Sequence, residues 1–170
     1  LHDALPIWTG SEMIVWGGVN GGSTFFDTGG RYNPTTDNWT ATSATSAPSA
    51  RGAPTAVWTG SEMIVWGGED VDFTLSNTGG RYNPSIDSWT ATSTTNVPTA
   101  RDIHTAVWTG SEMIVWGGEN ENFAPLNTGG RYNASANSWV ATSTANVPTA
   151  RTAQRGLWSG SEMIVWGGLD

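Results

Sequence analysis

The sequence predicts an all-β protein built as an array of one fifty-residue unit, and three observations carry that expectation. All 11 Trp fall in three columns: Trp8, Trp58, Trp108 and Trp158; Trp16, Trp66, Trp116 and Trp166; Trp39, Trp89 and Trp139. The 3 Tyr (Tyr32, Tyr82, Tyr132) and 4 Met (Met13, Met63, Met113, Met163) keep the same interval, as do glycines beginning at Gly10, Gly17, Gly18, Gly29 and Gly30. No window holds a 3.6-residue apolar period over a helical length, whereas short β-prone runs broken by Gly, Asn and Pro recur throughout. A repeat of roughly 20–50 residues marks a solenoid or a propeller.

One complete unit, 51–100, shows how each element arises. Thr55 to Trp58 is a short β-prone run, and Thr59-Gly60-Ser61 supplies the turn of a hairpin. Glu62 to Trp66 is a continuous apolar run closed by Gly67-Gly68, and a strand apolar on both faces must be covered on both. Thr78 to Tyr82 is a third strand. Asn83-Pro84 opens a tight turn, because proline fixes φ and the Asn side chain can bond its own backbone. Ser88 to Ser93 is an alternating fourth strand whose Thr- and Ser-rich far end is expected to face water.

Four short antiparallel strands per unit, covered on both faces, describe a propeller blade. An apolar run ending in Gly-Gly, then a Tyr, then a Trp seven positions later resembles the kelch motif. It stands as MIVWGG with Tyr32 and Trp39, with Tyr82 and Trp89, and with Tyr132 and Trp139; the last unit has MIVWGG alone. The resemblance runs from Trp8 onward and is closest to the Thr- and Trp-rich bacterial kelch proteins. It implies a propeller arc of three four-stranded blades plus the first two strands of a fourth, in units 8–50, 51–100, 101–150 and 151–170. Residues 1–7 break the register apart from Ile7, resemble the translation of a sequencing-adapter oligonucleotide, and are set aside with His2 and Asp3. Since propellers close with about four to eight blades, the chain is expected to be part of a longer propeller whose remaining blades cover its two ends.

Composition narrows the function classes. The formal net charge is -8 and all 7 basic residues are Arg, which argues against nucleic acid. No run approaches the ~20 apolar residues of a membrane span, so no membrane insertion is expected. With 0 Cys there is no thiolate zinc site, no cysteine nucleophile and no disulfide. An acidic, Lys-free, Thr-rich chain of this kind is expected outside the cytoplasm, extracellular or periplasmic.

Antiparallel topology puts the loops after the second and fourth strands on one side and the turns after the first and third on the other. The latter scarcely change: TGSE or SGSE, and NPTTD, NPSID or NASAN. The former vary: VNGGSTFFD at 19–27, EDVDFTLSN at 69–77 and ENENFAPLN at 119–127. A scaffold repeats and a binding surface differs blade by blade, so a ligand is expected on the variable side. Candidate contacts there are Phe25, Phe26, Phe73 and Phe123, which are all of the phenylalanines, and Asp70 and Asp72. The carboxylates of Glu69, Asp70, Asp72, Glu119 and Glu121 have no recognised calcium-loop spacing and read as solvated charge; no metal or cofactor is expected.

Arg51, Arg101 and Arg151 open the innermost strand of successive units. In kelch relatives residues at this place reach the mouth of the central channel, which makes these forks candidates for an acidic peptide. Their competing role is to bond carbonyls between blades. The resemblance also includes kelch enzymes such as copper oxidases and sugar mutarotases, but the Cys of the copper site is missing. His104 stands alone, since its equivalents are Ala4, Pro54 and Gln154. The expectation is a non-catalytic module binding a protein, peptide or glycan. The alternatives are an enzyme whose chemistry lies in further blades and a structural spacer.

Overall fold

The computed structural model describes residues 6–21 and 24–170; His2 and Asp3 lie outside them. Among the described residues, fourteen strands form side-by-side antiparallel sheets. The first sheet holds β1 (Ile7–Trp8), β2 (Met13–Trp16), β3 (Gly29–Asn33) and β4 (Asn38–Ala41). The second holds β5 (Thr55–Trp58), β6 (Met63–Trp66), β7 (Gly79–Asn83) and β8 (Ser88–Ala91). The third holds β9 (Thr105–Trp108), β10 (Glu112–Trp116), β11 (Gly129–Asn133) and β12 (Ser138–Ala141); β13 (Arg155–Trp158) and β14 (Met163–Trp166) pair alone. Each sheet keeps its strands in chain order, and none of them closes on itself.

Register explains the columns. Trp58 pairs with Met63, Met63 with Tyr82, and Tyr82 with Trp89, so one face of the blade carries a row of four large side chains. Val57 and Ile64, one step along, point to the other face with Trp66. The blades stack by placing these unlike faces together. Ile14 and Trp16 of the first unit form one core with Met63, Val65, Tyr82 and Trp89 of the second. Val57, Ile64 and Trp66 of the second form the next with Met113, Val115, Tyr132 and Trp139 of the third. Trp16 meets Trp89 at 5.2 Å between ring centroids and Trp66 meets Trp139 at 5.3 Å, both tilted, a geometry that adds to area burial.

Polar ties repeat across the same junctions. Arg31 donates to the Pro84 carbonyl and Arg81 to that of Ala134, each at 2.6 Å. Trp89 Nε1 donates to Ser43 O and Trp139 Nε1 to Ser93 O. Gly80 and Gly130 leave room for the segment joining blades: a Cβ on Gly80 would stand 2.9 Å from Pro48, and one on Gly130 2.5 Å from Pro98.

Three details differ from the sequence reading. Ile7, already in register with the repeat, belongs to β1, where it pairs with Ile14, so the first strand starts one residue before the 8–50 unit. The fourth strand ends at Ala91, and Thr92, expected to face water, is buried with its N–H on Gly79 O. Arg51 precedes the innermost strand by a kink at Ala53 (φ 45°), and β5 starts only at Thr55.

Candidate functional site

The variable loops share one construction. In the second blade Asp70 Oδ1 accepts the N–H of Asp72 (3.0 Å) and of Thr74 (2.9 Å), while Phe73 N–H donates to Asp70 O at 3.0 Å. In the third, Asn120 Oδ1 accepts from Asn122 and Ala124, and Phe123 N–H donates to Asn120 O at 2.8 Å. Each is a turn folded over an Asx side chain. Its consequence is the conformation of the aromatic residue: Phe73 has φ 58° and Phe123 φ 56°, the left-handed region that bulky side chains rarely enter. Both rings stand in water, 69% and 77% exposed. In the first blade Asn20 Oδ1 accepts from Thr24, Phe26 is half-exposed, and Phe25 turns back onto the second unit, against Gly52.

A hollow of about 260 Å³ opens beside the second loop, lined by residues including Ser49, Arg51, Glu69, Asp70, Thr74 and Ser76. Its floor is the Arg51 guanidinium, which is fully engaged. Nε donates to Ser49 O, NH1 to the carbonyls of Gly67 (3.1 Å) and Thr78 (2.9 Å), and NH2 to Ser49 Oγ and Thr78 Oγ1. Arg101 repeats the pattern with Thr99, Gly117 and Thr128. Both side chains are buried (1% exposed), and loss of water pushes each pKa down to about 10, so both remain cationic at neutral pH. Arg151, half-buried, donates to Thr149 and Gly167.

The sequence-predicted residues therefore divide by geometry. Phe73, Phe123 and the exposed Asp72 lie at loop tips, and Phe26 lies at a margin. Asp70 holds its own loop together, Phe25 packs between units, and Arg51 and Arg101 bind carbonyls of their own blade and of the segment leading into it. Reading these two arginines as forks open to an acidic peptide does not fit donors already committed to the chain.

Two buried ionisable positions stand out near this face, and the first of them, Asp102, was not singled out by the sequence. Asp102 is buried, its Oδ1 has no hydrogen-bond partner, and loss of water with the charges of Glu119 and Glu69 pushes its pKa up to about 7. The available signal was its column, where the other units have Gly52 and Thr152. His104 is wedged between the second and third blades, Nε2 at 2.7 Å from Thr55 Oγ1 and its ring edge-on to Trp66. Burial, with the Arg101 charge adding, lowers its pKa to about 3, so it is neutral. Gln154 fills the equivalent place one blade on, donating to Trp116 O.

Radially stacked, four-stranded antiparallel blades with loops that vary on one rim define an open propeller arc. The chain belongs to the kelch-repeat family: residues 55–170 match the KLHDC2/KLHL20/DRC7 Kelch-repeats domain. Kelch repeats generally mediate protein–protein interaction, and the match suggests an interaction module here. No curated protein matches the chain.

Proposed function

We propose that this chain is a non-catalytic recognition module, a run of kelch blades within a larger exported bacterial protein, that engages a protein or peptide partner through its variable-loop rim. The observation that carries this reading is the pair of phenylalanines held left-handed and exposed on Asx-folded turns. Such strain persists where the surroundings over-determine it, and it clusters at binding sites. A pre-set aromatic tip loses little freedom on contact, and aromatic residues are favoured anchors of interfaces. Asp72 beside Phe73 adds negative charge to the rim, which fits a partner with basic residues around an apolar pocket. Further blades of the parent chain are the proposed cover for the bare end faces.

The test is a peptide and glycan array probed with the chain and with the Phe73→Ala/Phe123→Ala double variant. Peptide binding lost by the variant, with its thermal melt unchanged, is the expected result. Binding that survives the double substitution would reject the rim as the contact surface. Silence on every peptide would favour a spacer role.

A further inference from the structure

Two clefts lie on the opposite rim, among the turns that scarcely change. One of about 360 Å³ sits between the second and third blades, and one of about 300 Å³ between the first and second. Both fall in the ~300–1,000 Å³ range of small-molecule sites. They are the same cleft built twice. One blade contributes a Thr and Ser of the TGSE turn, a Glu and an Arg; the next contributes an indole and the Asn-Pro or Asn-Ala turn. In the larger cleft these are Thr59, Ser61, Glu62, Arg81, Trp108 and Ser135.

The chemistry of the walls is specific. Arg81 is fixed by NH1, which donates to the Ala134 carbonyl of the next blade and lies 3.5 Å from Glu62 Oε2. Among the described residues its NH2 makes no hydrogen bond to the protein. Arg31 is held in the same way by the Pro84 carbonyl, with Glu12 at 3.9 Å. With NH1 committed and Nε buried, each cleft pairs the NH2 edge of a fixed guanidinium with a carboxylate of opposite charge, beside the half-buried ring of Trp108 or Trp58. The pair is neutral overall, which disfavours a highly charged ligand. It suits a group with adjacent hydroxyls, one accepting from guanidinium and one donating to carboxylate, whose C–H face lies on the indole. Ser61 lines both clefts, so the sites adjoin.

We propose that this constant rim is a second binding site, separate from the variable rim, for a neutral oligosaccharide that runs from blade to blade with one sugar unit seated in each inter-blade cleft. Successive weak sites along one polymer raise its apparent affinity without any new contact, which gives the invariance of these turns a function beyond packing.

The experiment is isothermal titration of the chain with cellohexaose, maltohexaose and laminarihexaose, alongside the corresponding disaccharides. At least one hexasaccharide is expected to bind at least tenfold more tightly than its disaccharide. The Glu12→Gln/Glu62→Gln variant, isosteric and outside the core, is expected to weaken that binding at least tenfold. Ser61→Tyr, which fills the junction of the two clefts, is expected to reduce the hexasaccharide to disaccharide affinity. Phe73→Ala/Phe123→Ala is expected to leave it unchanged, so this site and the variable rim fail independently. No heat from any of the three at about 10 mM, or binding indifferent to both cleft variants while their melts match the parent, overturns the proposal.

Discussion

At the scale of single residues, two buried ionisable groups that depart from the repeat set opposite pH dependences. Asp102 has a folded pKa of about 7 against an ordinary 3.8. Between those values the folded chain holds the extra proton, so this group lowers stability as pH rises from about 4 to about 7. Asp102→Asn is expected to raise the melting temperature at pH 7.5 and to lose that advantage below about pH 4, as followed by circular dichroism melts across pH. For His104 the sign reverses. Its folded pKa is about 3 against 6.5, so the unfolded chain takes up the proton first and stability falls as pH drops through that interval. His104→Gln should flatten this acid limb at little cost at neutral pH, because Gln154 already occupies the equivalent wedge and reaches a carbonyl of the preceding blade. A neutral-pH loss comparable to that of a large core truncation would show that imidazole is required there.

At the scale of elements, burial of a repeated side chain depends on whether its neighbouring blade is present. Trp139 is 3% exposed and stacks on Trp66, whereas Trp39 in the same column is 58% exposed. Trp139→Ala is expected to cost about 3–5 kcal/mol, while Trp39→Ala stays within about 1 kcal/mol, measured by urea unfolding of each variant. Equal losses would mean that the column stabilises its own blade and not the junction. The strands and their order were legible because the period places whole columns on one face, and a short apolar run such as Met63 to Trp66, bounded by turn residues on both sides, reads as a strand covered twice. The limits of the outer strand were not legible: Thr92 reads as polar, yet the bond of its N–H to Gly79 O turns it inward. The candidate site was legible in part. Loop variability singled out Phe73 and Phe123, but their left-handed backbone depends on hydrogen bonds to Asp70 and Asn120 that no spacing rule encodes. Likewise, three regularly placed arginines read equally well as ligand forks or carbonyl binders; only the positions of the Gly67 and Thr78 oxygens decide for Arg51.

At the scale of the whole molecule, stability is a sum over blades and junctions, as in other repeat arrays. The last half-blade leaves Leu157, Ile164 and Trp166 exposed by 63%, 47% and 80%. These are the positions of Val57, Ile64 and Trp66, which are 6%, 0% and 0% exposed where a blade follows. A chain extended by strands three and four of its last unit and by one further copy of residues 51–100 is expected to melt several degrees higher and to unfold with a steeper urea dependence. An unchanged midpoint and slope would show that the junctions are not coupled. The same exposed surfaces predict concentration-dependent association of the 170-residue chain, visible by sedimentation velocity, that the extension at this end reduces.

The pairing of unlike faces has a genetic corollary. Because both complete junctions join the Ile-Trp side of one unit to the Met-Val-Tyr-Trp side of the next, excising or duplicating fifty codons within the array keeps the same pairing of faces. Unequal recombination can therefore lengthen or shorten the coding sequence without inventing any new packing. Divergence is then left to loop tips such as those of Phe73 and Phe123, which stand clear of that join.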